Sequence, residues 1–408
     1  MIIVSSNLKA KEDTLSSVLP DIRVTADRIL SEKSLKYNAY NLITTDEIKQ
    51  KNPWQMNEVL NNVPGIFIND YGGLGGLKTI SMRGSTSNQS LIMIDGIKIN
   101  SSQSGISDLS LVPISFIDEI EVARGGFSAV FGGNAIGGIV NLRASDYEKN
   151  KFNLAINAGS FGEYFISGFS EFGSDKINQK ISAEFKTSEG DYPFISNESH
   201  KKNNRASSDF IMYSASSFTR MNVSNWQLSN WVILQKSGRN IPGQFIENAI
   251  KDDNLPILKE DRAIFLLKAN NQINKNSTLS LSVNSKIDNY LYLDKEYYGE
   301  GFPEFKAEFV NKDFVLNLKF NSDIGMFDYN ISAETGYSLL TGNQLEFATN
   351  EKVERYLLAV SGKAESDIKV SSIGEIDYSL GLWFDNFSDV GKSLSSFLGI
   401  LFKPEVPG

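Results

Sequence analysis

The sequence predicts a small α+β domain followed by an antiparallel transmembrane β-barrel, and three observations point there. Between Asn69 and Leu142, short apolar runs alternate with glycine turns. Beyond Asp146 the texture changes to long runs in which apolar and polar residues alternate with period 2, the signature of strands with one apolar and one polar face. The links between those runs are alternately short and long, as in barrels whose turns are tight at one membrane face and extended at the other.

The opening residues, 1 to about 30, are polar with no periodic apolar face, and a flexible segment is expected there. Met1 to Val4 is too short to be the apolar core of a signal peptide, so the natural start is expected upstream, or the leader has been removed. Thr44-Thr45-Asp46-Glu47 fits a capping box, in which Thr44 accepts from the amide three residues on while Glu47 reaches back, so a short helix follows. A second helix is expected from near Asn52-Pro53, since proline is tolerated at a first helical position; Met56, Val59, Leu60 and Val63 then share one face, read as core, and Pro64-Gly65 ends it.

Five short strands come next: Ile80 with Met82, Leu91 to Ile94, Ile97 with Ile99, Ile120 with Val122, and Ile139 to Leu142. They predict a small mixed sheet with long glycine-rich loops. Asp95-Gly96 is a strong hairpin signal, because both central residues of a type I′ turn need positive φ.

In the second region Ile177, Gln179, Ile181, Ala183 and Phe185 alternate with Asn178, Lys180, Ser182, Glu184 and Lys186. Leu279, Leu281 and Val283 alternate with Ser280, Ser282 and Asn284, and Phe327, Tyr329, Ile331 and Ala333 with Asp328, Asn330, Ser332 and Glu334. An apolar set facing lipid and a polar set facing a wet lumen is the barrel arrangement. Short links near 173–177, 220–224, 273–277 and 321–326 alternate with long ones near 188–208, 237–260, 290–310 and 338–351. A soluble sandwich has no reason to keep that two-sided order. About 11 or 12 strands are expected, against about 22 in membrane barrels whose lumen is blocked, so the barrel reads as incomplete.

Composition closes off other classes. The net charge of −9, from 40 Lys+Arg and 49 Asp+Glu, argues against a nucleic-acid partner, which needs a basic patch. No cysteine is present, and the one histidine, His200, lies in a polar run. No run of 18 apolar residues exists for a transmembrane helix. A barrel hides more easily behind a mean hydropathy of −0.22. Asp191, Asp252 and Asp253 lack calcium-loop spacing, GGLGG at Gly72 to Gly76 lacks the third glycine of a dinucleotide fingerprint, and no triad, paired-carboxylate or metal-ligand motif suggests an enzyme. No cofactor is implied.

MRG at Met82 to Gly84, LIMIDG at Leu91 to Gly96 and RGGFSAVFGGNAIGGIVNL at Arg124 to Leu142 resemble, in order and spacing, the plug domain of TonB-dependent outer-membrane transporters. The ungapped run from Pro64 to Asn100 is most similar to the cobalamin receptor subgroup. The resemblance implies three parts: a flexible segment over 1–30, a plug over 31–146, and the N-terminal part of the barrel over 147–408. Asp21, Ile22, Arg23, Val24, Thr25 and Ala26 resemble the TonB box, an extended segment that the energising protein of the inner membrane captures by strand addition. Arg83 and Arg124 are expected to dock the plug through carboxylates on the inner barrel wall, since buried guanidinium groups must be paired.

The subgroup resemblance places ligand contacts on Leu77, Thr79, Thr86, Ser104 and Gly105, in two loops, Tyr71 to Thr79 and Asn100 to Ser107, whose glycines are expected to let backbone approach a ligand. It implies active import of a scarce nutrient, cobalamin or an iron chelate, across the bacterial outer membrane. The partners implied are the TonB protein, a small-molecule ligand and outer-membrane lipid. The alternative is a passive receptor or adhesin whose plug never moves.

Overall fold

The computed structural model describes residues 39–144, 149–174, 176–195, 200, 202–204, 208–241, 256–295, 303–345, 352–370 and 374–404. The first domain carries β1 (Ala39–Ile43), β2 (Ile66–Asp70), β3 (Lys78–Met82), β4 (Ser90–Ile94), β5 (Ile97–Lys98), β6 (Glu119–Arg124) and β7 (Gly138–Arg143). Five of these form a mixed sheet in the order β1-β6-β7-β4-β5, with β4 and β7 parallel and the other pairs antiparallel. The expected mixed sheet is there, but the Ile80–Met82 run lies outside it, in a separate β2–β3 ribbon.

Local signals account for most of the boundaries. The Thr45–Lys51 helix begins with a complete capping box: Thr44 N donates to Glu47 Oε2 at 2.7 Å, and Glu47 N donates to Thr44 Oγ1. Asn52 ends it at φ 42°, a left-handed position that asparagine tolerates. The next helix is shorter than expected. It runs Met56–Leu60 from an N-cap at Gln55, so Pro53 precedes the helix instead of opening it. Met56, Val59, Leu60 and Val63 are buried, as the spacing predicts. Asp95 and Gly96 take φ 47° and 81°, the positive pair that the β4–β5 turn requires.

The second region is one antiparallel sheet of twelve strands. In chain order they are β8 (Lys151–Ala158), β9 (Tyr164–Ser174), β10 (Ile177–Ser188), β13 (Phe210–Val223), β14 (Trp226–Asn240), β15 (Ile257–Asn274), β16 (Ser277–Asp294), β17 (Phe305–Ile324), β18 (Phe327–Gly342), β19 (Lys352–Val370), β20 (Gly374–Phe387) and β21 (Gly391–Pro404). Every strand pairs with its neighbour in sequence, except that β11 (Pro193–Ile195) and β12 (Lys202–Asn204) form a small hairpin of their own inside the link between β10 and β13. Among the described residues β8 and β21 are the sheet's two edges.

The link lengths separate by end. Residues 175–176, 224–225, 275–276, 325–326 and 371–373 join strands at one end; 189–209, 241–256, 295–304 and 343–351 do so at the other. Two tight connections, 159–163 and 388–390, share the end with the long loops, so length alone would misplace them. The register follows the alternation: Ile181, Leu281, Phe314 and Ile331 are exposed on the outer face, while Lys180, Ser182, Asn284 and Glu334 point inward and are buried.

One patch breaks that pattern. Phe218, Trp231, Ile233, Ile264 and Leu266 face inward and join the apolar core of the first domain. Their neighbour is Phe116, whose ring centroid lies 5.0 Å from that of Trp231, while Phe218 lies 4.3 Å away. The inner wall of a barrel is polar where it meets water; here the wall meets the first domain's apolar surface, and burial favours large apolar side chains. The first domain is thus seated against the inward-facing side of the strand wall.

Candidate functional site

Polar contacts hold the domain to the wall at several points, most with the acid on the domain. Lys180 Nζ on β10 lies 2.8 and 2.9 Å from the Asp118 carboxylate oxygens. Arg239 on β14 donates to Asp108 Oδ2 at 2.9 Å and to the Gly75 carbonyl at 2.8 Å. Trp231 Nε1 donates to Asp95 Oδ2. The opposite polarity occurs at Lys98, whose ammonium lies 2.8 and 2.9 Å from the Glu334 carboxylate oxygens on β18, and at Glu184, which accepts the Ser115 amide. Each ion has its partner inside the interface, which a buried charge requires.

The expected docking arginines behave differently. Arg124 donates to the Pro64 carbonyl and to Asn41 Oδ1, both within the first domain and neither a wall carboxylate. Arg83 sits in a turn at φ 52° and is exposed. The sequence points to these two as buried guanidinium groups in need of partners, and Arg124 finds its partners inside the first domain. The groups that bridge to the wall, Asp95, Asp108, Asp118 and Lys98, were not singled out, although Asp95 stood in view as a turn residue.

Two loops project toward the end of the sheet that carries the long links. In the first, buried Lys78 turns its ammonium back into the glycine run, donating to the Gly73 carbonyl at 2.9 Å and also to Gly72 and Asp70. The glycines serve this packing: a Cβ on Gly76 would stand 2.7 Å from the Gly72 backbone, and one on Gly75 would stand 2.6 Å from Phe210 Cβ on β13. They let the loop close on itself and on the wall, rather than simply bare its backbone to a ligand. In the second loop, Asn100 donates to the Gly105 carbonyl at 2.8 Å and accepts from Ile92 N at 2.8 Å. The wall clamps this loop from three strands: Lys286 donates to the Asn100 carbonyl, Arg355 to the Ser102 carbonyl, and the Ser102 hydroxyl meets Asp313.

A cavity of about 450 Å³ opens between this second loop, the Val130–Asn134 segment and the inner faces of β15 to β20. Its wall is rich in neutral donors and acceptors, among them Ser282, Asn284, Asn317 and Ser332, with Trp383 and Phe387 as apolar surface. Pockets of this size that pair apolar surface with a few placed polar groups suit small-molecule ligands.

The five expected ligand residues divide. Ser104 and Gly105 line the cavity. Leu77, Thr79 and Thr86 do not: Leu77 is half-buried, Thr79 is buried with its hydroxyl 2.9 Å from Ser87 Oγ, and Thr86 caps the short Ser87–Gln89 turn of helix. The expected TonB box, Asp21 to Ala26, lies outside the described residues.

Residues 34–139 match the family described as the TonB-dependent Receptor Plug Domain. Over 165 residues the chain is 33% identical to the vitamin B12 transporter BtuB of Vibrio vulnificus (strain YJ016), a match covering 40% of this chain and 26% of that protein, so only about a quarter of the relative's length is spanned. Among solved structures, the siderophore receptor PirA from Acinetobacter baumannii is similar at a TM-score of 0.68 and 17% identity, covering 92% of this chain and 60% of PirA. The ferric yersiniabactin uptake receptor FyuA from Yersinia pestis is similar at 0.64 and 14%, covering 91% and 62%. At those identities the two structures speak for the fold alone: a plug followed by barrel strands.

Proposed function

We propose that the chain is part of an active importer of a scarce nutrient: residues 34–139 match the plug domain of TonB-dependent receptors, and the strands that follow share the fold of barrel-forming receptors. The observation that carries this reading is the seating of the plug. It is fixed to the lumen face by ion pairs and hydrogen bonds, and its Asn100–Ser107 loop borders a polar cavity at the long-loop end. A lumen filled this way blocks passive diffusion, so transport needs the plug to change state, and a ligand can signal such a change only by binding two plug states with different affinity. In this reading energy enters through Asp21 to Ala26, captured as an added strand by the TonB protein.

Cobalamin or an iron chelate is the proposed cargo. The kinship with a vitamin B12 transporter favours the first, and the fold shared with siderophore receptors is compatible with either. The five residues Leu77, Thr79, Thr86, Ser104 and Gly105 stand as candidate ligand contacts, with Ser104 and Gly105 favoured by their place on the cavity. Growth of a strain carrying the full-length gene as its sole outer-membrane transporter tests the reading: rescue on cobalamin or on one iron chelate is expected. Surface binding of these nutrients without any uptake would favour a passive receptor instead.

A further inference from the structure

We propose that a row of lysines on the lumen wall, Lys268, Lys319 and Lys363, binds an oxyanion, carboxylate or phosphate, on the nutrient as it passes the plug. The strand register sets the row. Lys268 on β15 stands opposite Ser282 on β16, whose neighbour Ser280 stands opposite Lys319 on β17; Lys319 faces Ser332 on β18, and the adjacent Asn330 faces Lys363 on β19. Lys268 and Lys319 line the cavity. Lys363 lies on the same side of the wall: its Cγ and the plug's Ala129 Cβ both border the space a Cβ on Gly381 would take, at 3.8 and 3.5 Å.

The charges in this row are unequally met. Lys363 pairs with Glu365 at 2.7 Å, and Lys268 donates to the Asp95 carbonyl at 3.3 Å. Lys319 stands between them in the register and has no hydrogen-bond or ion-pair partner among the described residues, so its neighbours along the row are both cations. Glu334, the carboxylate nearest along the neighbouring strand, is engaged by Lys98. An ammonium held between two others is unfavourable unless an anion offsets it. A carboxylate or phosphate bridging the row would do so while accepting from Ser280 and from Asn330, whose amide gives one hydrogen to Asn321 and keeps a second. The place is not the outer loops. Six positions along β17 separate Lys319 from Asp313, which holds the Ser102 loop, and at roughly 3.4 Å per residue that is about 20 Å farther along the strand from the long-loop end.

The inference rests on the import reading only for the source of the anion, and its test is independent of uptake. Citrate and inorganic phosphate would be titrated calorimetrically into purified full-length protein at low ionic strength. Wild type should bind one or both saturably, and Lys319→Gln should weaken binding by about tenfold or more, as loss of one charge-assisted contact does. Lys319→Arg should keep it, and Lys236→Gln, on the exposed outer face, should leave it unchanged. Binding of citrate alone assigns the row to carboxylates, and of phosphate alone to phosphoryl groups. No saturable binding of either anion to wild type, or equal binding by folded Lys319→Gln, overturns the proposal. Failed uptake with intact anion binding would instead count against the import reading.

Discussion

Lys98 of the plug and Glu334 of the wall, 236 positions apart in the chain, form an ion pair in which both carboxylate oxygens accept from one ammonium. Glu334 is buried, and its one further partner among the described residues is Asn317, at 3.2 Å. Lys98→Met should therefore strand a charge at the interface and weaken plug docking by about 1.5–3 kcal/mol, the range for a hydrogen bond to a charged group. Limited proteolysis of the full-length protein reads this directly: the plug should be cut faster, while Lys98→Met/Glu334→Leu should recover much of the protection.

The register of the wall makes a second expectation. Leu281 is exposed on the outer face, whereas Ser282 lines the cavity. Leu281→Arg should cost about 2–4 kcal/mol near the bilayer midplane, and Ser282→Arg much less. Heat-modifiability on gels compares their assembly, and equal tolerance at both positions would refute the inside–outside assignment.

Val24→Pro removes a backbone donor from the segment proposed to pair with the energising protein. Uptake should fall to background while surface binding of the nutrient persists. Uptake at the wild-type rate would show that energy does not enter through this segment.

At the plug's outer face, Leu77→Asp should weaken nutrient binding to purified full-length protein with normal barrel assembly. Should affinity stay unchanged there but fall in Ser104→Trp, the binding surface is confined to the Asn100–Ser107 side, where the cavity lies.

Asp389, in the tight turn after β20, is held below the ordinary carboxylate range by the hydrogen bond from Arg355, whose Nε lies 2.8 Å away. A depressed carboxyl adds stability above its unfolded pKa and loses it as pH falls through the lower folded value. The pair is partly exposed, so the effect should be within about 1 kcal/mol. Because Arg355 also donates to the Ser102 carbonyl, hydrogen exchange at the Ser102 loop should rise below the carboxylate range in wild type, and Arg355→Gln should show the raised rate at neutral pH.

Much of this was legible because the signals are local. A capping box at Thr44, a positive-φ pair at Asp95-Gly96 and the alternation through Leu281-Ser282 each need only a few neighbouring residues, and each was found. What escaped was azimuth. Alternation says that Lys180 and Glu334 point inward, but not which plug residue waits opposite, because Asp118 lies 62 residues from the one and Lys98 lies 236 from the other. The inward Phe218, Trp231 and Leu266 escaped for the same reason: a polar-lumen rule holds only where water, not plug, lines the wall. Glycine spacing marks a tight loop at Gly72 to Gly76 but says nothing of Lys78, the side chain those glycines wrap.

Among the described residues β1 has β6 as its one neighbouring strand, and Ala39 at its start is paired with Arg124. A pull on the chain ahead of Ala39 directed away from β6 would part its five residue pairs in succession, like a zipper, whereas a pull along the strand would load them together in shear. Each backbone bond resists by only about 1 kcal/mol. Arg124, clasping Asn41 on β1 and the Pro64 carbonyl beyond it, is then the rivet at the mouth of the zipper: what it sets is the force threshold at which the plug begins to yield.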